Sequence, residues 1–167
     1  MNAVLTAVDQ ELIRNVHRRF VSGVTIVTTC HEGVPRGLAV NAFASISLDP
    51  PLILVCVQKT SSTYPSLFAE QYFAVNILSR DQQALVRKFA TKDPDKFAGV
   101  AWHPGATGAP VLDGVSAHLE AEITERLQAS THTAFIGRVV EAGYSDRPPM
   151  VYSAGRFYDG GLLHELA

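Results

Sequence analysis

Hydrophobic positions along the chain recur with two periods, one helical and one extended. In DQELIRNVHRRFVSG, Leu12, Ile13, Val16 and Phe20 fall on one helical stripe, and Gly23 is placed to end that helix. VTIVTTC is rich in β-branched residues and predicts a strand, followed by a turn at HEGVP. RGLAVNAFASISLDPP, from Arg36 to Pro51, reads as a strand. LILVCVQ after it is apolar on both faces, as a buried central strand would be. SSTYPSLFAE predicts a short helix with Pro65 in its first turn. YFAVNILS is another strand. Ser79 and Gln82 form a candidate capping box for RDQQALVRKFAT, whose Leu85, Val86 and Phe89 face the core.

From Lys92 to Gly114 the turn signals predict a long loop, with Trp102 packing it onto the body of the protein. VSAHLEAEIT then alternates. Val115, Ala117, Leu119, Ala121 and Ile123 point inward, and His118, Glu120 and Glu122 outward. TAFIGRVVEAGY and MVYSAGRFYD supply the last strands. Strands outnumber helices and their connections are mostly short. The pattern predicts a mainly β protein, an antiparallel β-barrel with a few packed helices. Crossover helices and a GxGxxG turn are lacking, so no Rossmann nucleotide site is expected.

The chain has 167 residues and no repeat or Pro/Gly/Ser linker, which predicts one domain over 1–167. A net charge of −2 offers no broad basic surface for nucleic acid. Cys30 and Cys56 form no CxxC pair and read as free thiols of a reducing cytosol. No apolar run is long enough for a membrane span, and MNAVLTAVDQE lacks the features of a signal peptide. A cytoplasmic protein with no membrane or nucleic-acid partner is expected.

The stretch from Arg36 raises the first chemical question. With period two, Leu38, Val40, Ala42, Ala44, Ile46 and Leu48 form a core face. Gly37, Ala39, Asn41, Phe43, Ser45 and Ser47 form the other, which is small and uncharged. That face suits a solvated surface, a tight barrel interior, or a flat ligand approaching the backbone. Lys59, Ser61, Ser62 and Thr63 open the next helix, where free N–H groups and hydroxyls suit a phosphate, although Ser62 or Thr63 also suits simple capping. Arg87 and Lys88 are candidates to close over the same phosphate, or a solvated helix face. A flat group on one strand and a phosphate at the next helix start together describe a ligand like flavin mononucleotide.

FVSGVTIVTT, PRGLAVNAFASISLDPPLILVCV, SST, FAVNIL and DKFAGVAW resemble the short-chain flavin reductases, the small reductase components of two-component flavin-dependent monooxygenases. The resemblance runs from about Val16 to Phe157. It implies an FMN-binding split β-barrel, antiparallel and Greek-key-like, that forms a homodimer. It implies FMN or FAD, and NADH or NADPH, as cofactors, with reduced flavin passing to a separate monooxygenase. By matching motifs, Pro35, Arg36, Gly37, Leu38, Ala39, Asn41 and Ala42 line the isoalloxazine ring. Cys56, Val57 and Gln58 contact the flavin side chain and ring edge. Ser62, Thr63, Lys88 and Phe89 hold the phosphate end. The family often carries Gly-Asp-His before a later strand. Here the triplet is Ser130-Thr131-His132, which keeps the histidine and implies a nicotinamide contact for it. Phe157 is expected close to the nicotinamide pocket.

Hydride transfer between nicotinamide and flavin needs no protein acid or base, which fits the absence of a triad or carboxylate pair. Backbone N–H groups along Gly37 to Asn41 are placed to stabilise negative charge on the reduced ring. A lone histidine such as His132 is otherwise more often a structural hydrogen-bonder. The six histidines show no metal-ligand spacing, so no metal is expected. Cys56, inside an apolar strand, reads as an inert thiol. Arg138 and Arg147 are the candidates for a nucleotide 2′-phosphate. Two other readings of the chain stand beside the enzyme: a flavin-binding carrier or sensor, and a barrel with no ligand.

Overall fold

The computed structural model of the chain describes residues 8–166. Part of the N-terminal stretch read for a signal peptide lies outside them. In chain order the elements are α1 (Gln10–His17), β1 (Ser22–Gly23), β2 (Thr25–His31), β3 (Val34–Val40), β4 (Phe43–Leu48) and β5 (Pro51–Gln58). Then come α2 (Tyr64–Ala69), β6 (Tyr72–Ile77), α3 (Gln83–Phe89), β7 (Trp102–Pro104) and β8 (Pro110–Leu112). The last are β9 (Ala117–Ala129), β10 (His132–Tyr144), β11 (Met150–Ser153) and β12 (Arg156–Asp159), with a 3-10 turn at Gly160–Leu162.

Seven strands form one antiparallel sheet in the order β3-β2-β6-β9-β10-β5-β4, and β1-β11-β12 and β7-β8 form smaller sheets. The β9–β10 hairpin is the spine of the large sheet. Register shifts at Ile136/Gly137 and Val139/Glu141 interrupt its pairing and bend it. Gly137 sits at the first shift, where a Cβ would come within 2.7 Å of the Phe73 ring and 2.8 Å of the Ala121 methyl. The sheet curls. Val27, Leu38 and Val40 from one end meet Ile53, Val55 and Val57 of β5 and Phe135 of β10 in one buried cluster. A second cluster joins Ile26, Leu78, Val86, Phe89, Phe97, Leu112 and Met150.

The mainly β, antiparallel expectation holds, and the large sheet is not closed among the described residues. β3 and β4 are the two edges of the large sheet, and among the described residues no ladder joins them.

Several local readings change. Residues 36–51 are not one strand: the chain leaves β3 at Asn41–Ala42 and re-enters as β4 to pair with β5. Period two therefore fails across the break. Leu38 and Val40 are buried, whereas Ile46 is 47% and Leu48 89% exposed, and Phe43 packs on the core. Helix α1 starts at the Asp9 cap and ends at Arg18, so Gly23 does not terminate it; Gly23 pairs with Val151. No residue of α1 is buried, and Leu12, Ile13, Val16 and Phe20 all stand exposed. Half of the capping box forms: the Ser79 N–H donates to Gln82 Oε1 at 3.0 Å, while the Ser79 hydroxyl has no partner. No described helix is long and apolar enough to cross a membrane.

The stretch 92–114, expected as loop, contains the β7–β8 hairpin. Trp102 packs edge-on against Phe97 there, with ring centroids 5.6 Å apart. Glu120, expected outward, is buried beneath the hairpin turn. Its carboxylate accepts hydrogen bonds from the Ala106 N–H, the Thr107 N–H and the Thr107 hydroxyl. Alternation along β9 cannot reveal that a distant hairpin folds over the polar face.

Candidate active site

The site grows from the free edge of β3. The Gly37 carbonyl accepts from the Thr63 hydroxyl at 2.7 Å and from Lys96 Nζ at 3.1 Å, so it points away from β2. In an antiparallel strand the N–H and C=O of one residue face the same side, and alternate residues share it. Ala39 therefore also presents its main-chain groups to the open side. A cleft of about 400 Å³ runs along this edge. Its other walls are the ends of β5 and α3, the segment 60–62 and the start of β10. A smaller compartment of about 190 Å³ adjoins it, and Ser62, Lys92 and Lys96 border both.

Most of the expected residues meet here. Leu38, Ala39, Asn41, Ala42, Cys56, Val57, Gln58, Ser62, Phe89 and His132 line the larger cleft. Pro35, Arg36, Gly37 and Thr63 line the smaller one. His132 stands at the start of β10, directly opposite Gln58 of β5, and is exposed at the mouth. Its Nδ1 lies 2.9 Å from the Thr131 hydroxyl. Cys56 is half-buried in the cleft wall.

The small face of β3 has a different explanation from the expected one. A Cβ on Gly37 would lie 2.8 Å from Phe89 Cε1, and Ala39 packs on the second core cluster. These side-chain positions are small because α3 presses on them. The opening belongs to the strand's edge, not to its face.

Five expected residues are not brought to the cleft. Lys88 turns away and donates to the Ala98 carbonyl. Phe157 packs on Tyr152, with centroids 5.6 Å apart, and borders a separate cavity with Arg80 and Asp159. Lys59 reaches Gln128 at 3.1 Å and does not line the cleft. Arg138 is engaged by Glu122 at 2.5 Å, and Arg147 borders a different cavity near Tyr144.

The cations that do border the cleft are Lys92 and Lys96, which sequence reasoning missed along with Thr60 and Thr91. Lys96 is 6% exposed, and burial pushes its ammonium below the ordinary lysine range, partly offset by Asp93. Its Nζ also donates to the Phe89 carbonyl at 3.2 Å. In KDPDKF a lysine between turn residues reads as solvated, and only the core aromatic Phe97 beside it hints at depth. Arg36 donates to the Pro94 carbonyl at 3.3 Å, which keeps a third cation on the smaller compartment. Among the described residues no group of three or more His, Cys, Asp or Glu side chains is placed to hold a metal.

A curled antiparallel sheet with an open edge thus borders a cleft with cations at one end. The family description that matches residues 17–161 is the flavin reductase like domain, and the chain belongs to that family. The chain is 40% identical over 154 residues to the reductase component of a 4-nitrophenol 4-monooxygenase/4-nitrocatechol 2-monooxygenase of Rhodococcus opacus. That match covers 92% of this chain and 83% of that protein. It is 38% identical to the FMN reductase (NADH) SmoA of Agrobacterium fabrum, covering 86% and 82% of the two chains. Among solved structures it resembles the NADH:FAD oxidoreductase SgcE6 of Streptomyces globisporus, in complex with NAD and FAD fragments. The TM-score is 0.84 at 39% identity, covering 90% of this chain and 92% of that one.

Proposed function

We propose that the protein is an NAD(P)H:flavin oxidoreductase that reduces free FMN or FAD for a partner monooxygenase. The observation that carries the reading is the free edge of β3 along a cleft flanked by Lys92 and Lys96. Family membership, a relative named as a monooxygenase reductase component and one named as an FMN reductase (NADH) support it. A hydride, with both electrons of the bond, passes from nicotinamide C4 to flavin N5 and leaves NAD(P)⁺ and reduced flavin. The cofactors supply that chemistry, and the protein's part is alignment.

In this reading the ring lies along the β3 edge between Ala39, Asn41 and Ala42 on one side and Cys56, Val57 and Gln58 on the other. Ser62 and Lys92 take the phosphate end. His132, at the mouth, contacts the nicotinamide. The pyrimidine edge of the ring carries its hydrogen-bond acceptors, so the main-chain N–H groups of β3 meet the part that becomes negative on reduction.

The reading includes one split-barrel domain over 1–167 in the cytoplasm, and a homodimer. The exposed apolar stripe of α1 and the exposed Ile46 and Leu48 of the β4 edge support pairing with a second copy.

Purified protein mixed with NADH or NADPH and with riboflavin, FMN or FAD is expected to oxidise the nicotinamide in steady state. Absence of oxidation with every pair would overturn the reading.

A further inference from the structure

The sequence places Thr63 at the phosphate end, but the structure gives its hydroxyl other work. Thr63 stands at the start of α2 without capping it, is 3% exposed, and donates at 2.7 Å to the Gly37 carbonyl. Lys96, from a different segment, donates to the same carbonyl at 3.1 Å. Its ammonium also takes the Phe89 carbonyl at the end of α3. Two side chains therefore stand where a neighbouring strand would stand. A buried polar group that accepts two donors has little freedom to tilt.

The next main-chain N–H on that side of β3 belongs to Ala39, about 7 Å further along the strand. Ala39 borders the large cleft, whereas Gly37 borders the small one. The clamp thus marks the boundary between the two compartments. On the clamp's near side lies the cation-flanked end. On its far side the first free donor is Ala39.

We infer that Thr63 and Lys96 are positioning residues of the flavin site, which clamp the Gly37 carbonyl and so aim the Ala39 N–H at the ring. The inference rests on the proposed flavin-binding reading. It differs from a phosphate role in one decisive respect: the clamp acts on the ring, so its loss is felt by ligands with and without a phosphate.

The test compares FMN and riboflavin binding, by fluorescence quenching, to the full chain and to Thr63→Val. Both affinities are expected to fall by the same factor, about five- to ten-fold, the worth of one net hydrogen bond. Thr63→Ser, which keeps the hydroxyl, is expected to restore both. Loss confined to FMN, or no loss for either ligand, would overturn the inference. The reduction potential of bound FMN gives a second reading. It is expected to become more negative in Thr63→Val, because the donor to the reduced ring is misaimed. A changed melting temperature with an unchanged potential means a merely structural role and also overturns it. Lys96→Met is expected to weaken riboflavin as well as FMN, and unchanged riboflavin binding would remove Lys96 from the clamp. These measurements need no turnover. A protein that binds both flavins but oxidises no NADH would refute the reductase reading and leave the clamp standing.

Discussion

The ring of Phe89 fills the volume that a side chain at Gly37 would need. Phe89 is 1% exposed, and its Cε1 would lie 2.8 Å from a Cβ on Gly37, with the Thr28 methyl 3.2 Å away on the same side. Helix α3 and strand β3 approach this closely only because residue 37 has no side chain.

Gly37→Ala is therefore expected to destabilise the protein by about 1–3 kcal/mol, the range for overpacking a filled site. An aromatic ring in a packed cluster does not swing aside as the tip of a lysine would. The shift of the urea midpoint, at unchanged slope, measures it. An unaltered midpoint would mean that α3 moves freely against the sheet.

Glu120 makes a comparable test for the β7–β8 hairpin. Its carboxylate is 1% exposed and holds three donors of the Ala106–Thr107 turn. Glu120→Ala removes the shared acceptor of the Ala106 and Thr107 N–H groups and is expected to cost about 1–3 kcal/mol. Glu120→Gln keeps one carbonyl oxygen and is expected to cost clearly less. Equal losses for the two variants, in denaturant unfolding, would contradict this account.

The C-terminal turn carries a pH signature. Hydrogen bonding from the Gly161 N–H, and then pairing with Arg80 at 2.8 Å, holds the Asp159 carboxyl below its ordinary value of 3.8. A carboxyl lowered in the fold stabilises it fully above the unfolded value and loses that contribution as pH falls through the folded one. Asp159→Asn is expected to be less stable than the parent at neutral pH. The gap should narrow only once pH drops below 3.8. Thermal unfolding of both proteins across the acid range reads this directly, and a gap that is constant with pH would exclude it.

His132 stands at the cleft mouth opposite Gln58, and the Thr131 hydroxyl is its neighbour. His132→Ala is expected to raise the KM for NADH about five-fold, the worth of one hydrogen bond, and to leave flavin affinity near that of the parent. Steady-state kinetics with the nicotinamide varied, beside a flavin titration, separates the two. Unchanged NADH kinetics would return His132 to a purely structural part.

Much of the fold is legible where the chain announces its period. The β-branched run of β2 and the doubly apolar run of β5 become strands as written; β2 is buried on both faces, whereas β5 is buried on one and half-buried on the other. The break at Asn41–Ala42 is not legible, since Gly, Ala, Ser and Asn carry too little contrast to reveal a lost register. Phe43, on the small face by counting, crosses to the core for that reason. The site is legible where it is made of contiguous motif: residues 35–42, 56–58 and 62 converge as expected. It is not legible where a tertiary contact decides. Lys88 and Lys96 look alike in sequence, yet one reaches out to Ala98 and the other reaches in to Gly37. What separates them is the course of the chain after α3, which no local pattern encodes.

The unpaired border of β3 has one last consequence. Hydrogen-bond donors that belong to the peptide chain itself are indifferent to which side chain is attached, and only a proline can erase one. Recognition written in that alphabet is shielded from most point mutations, and this chain and its Rhodococcus opacus relative differ at some six residues in ten.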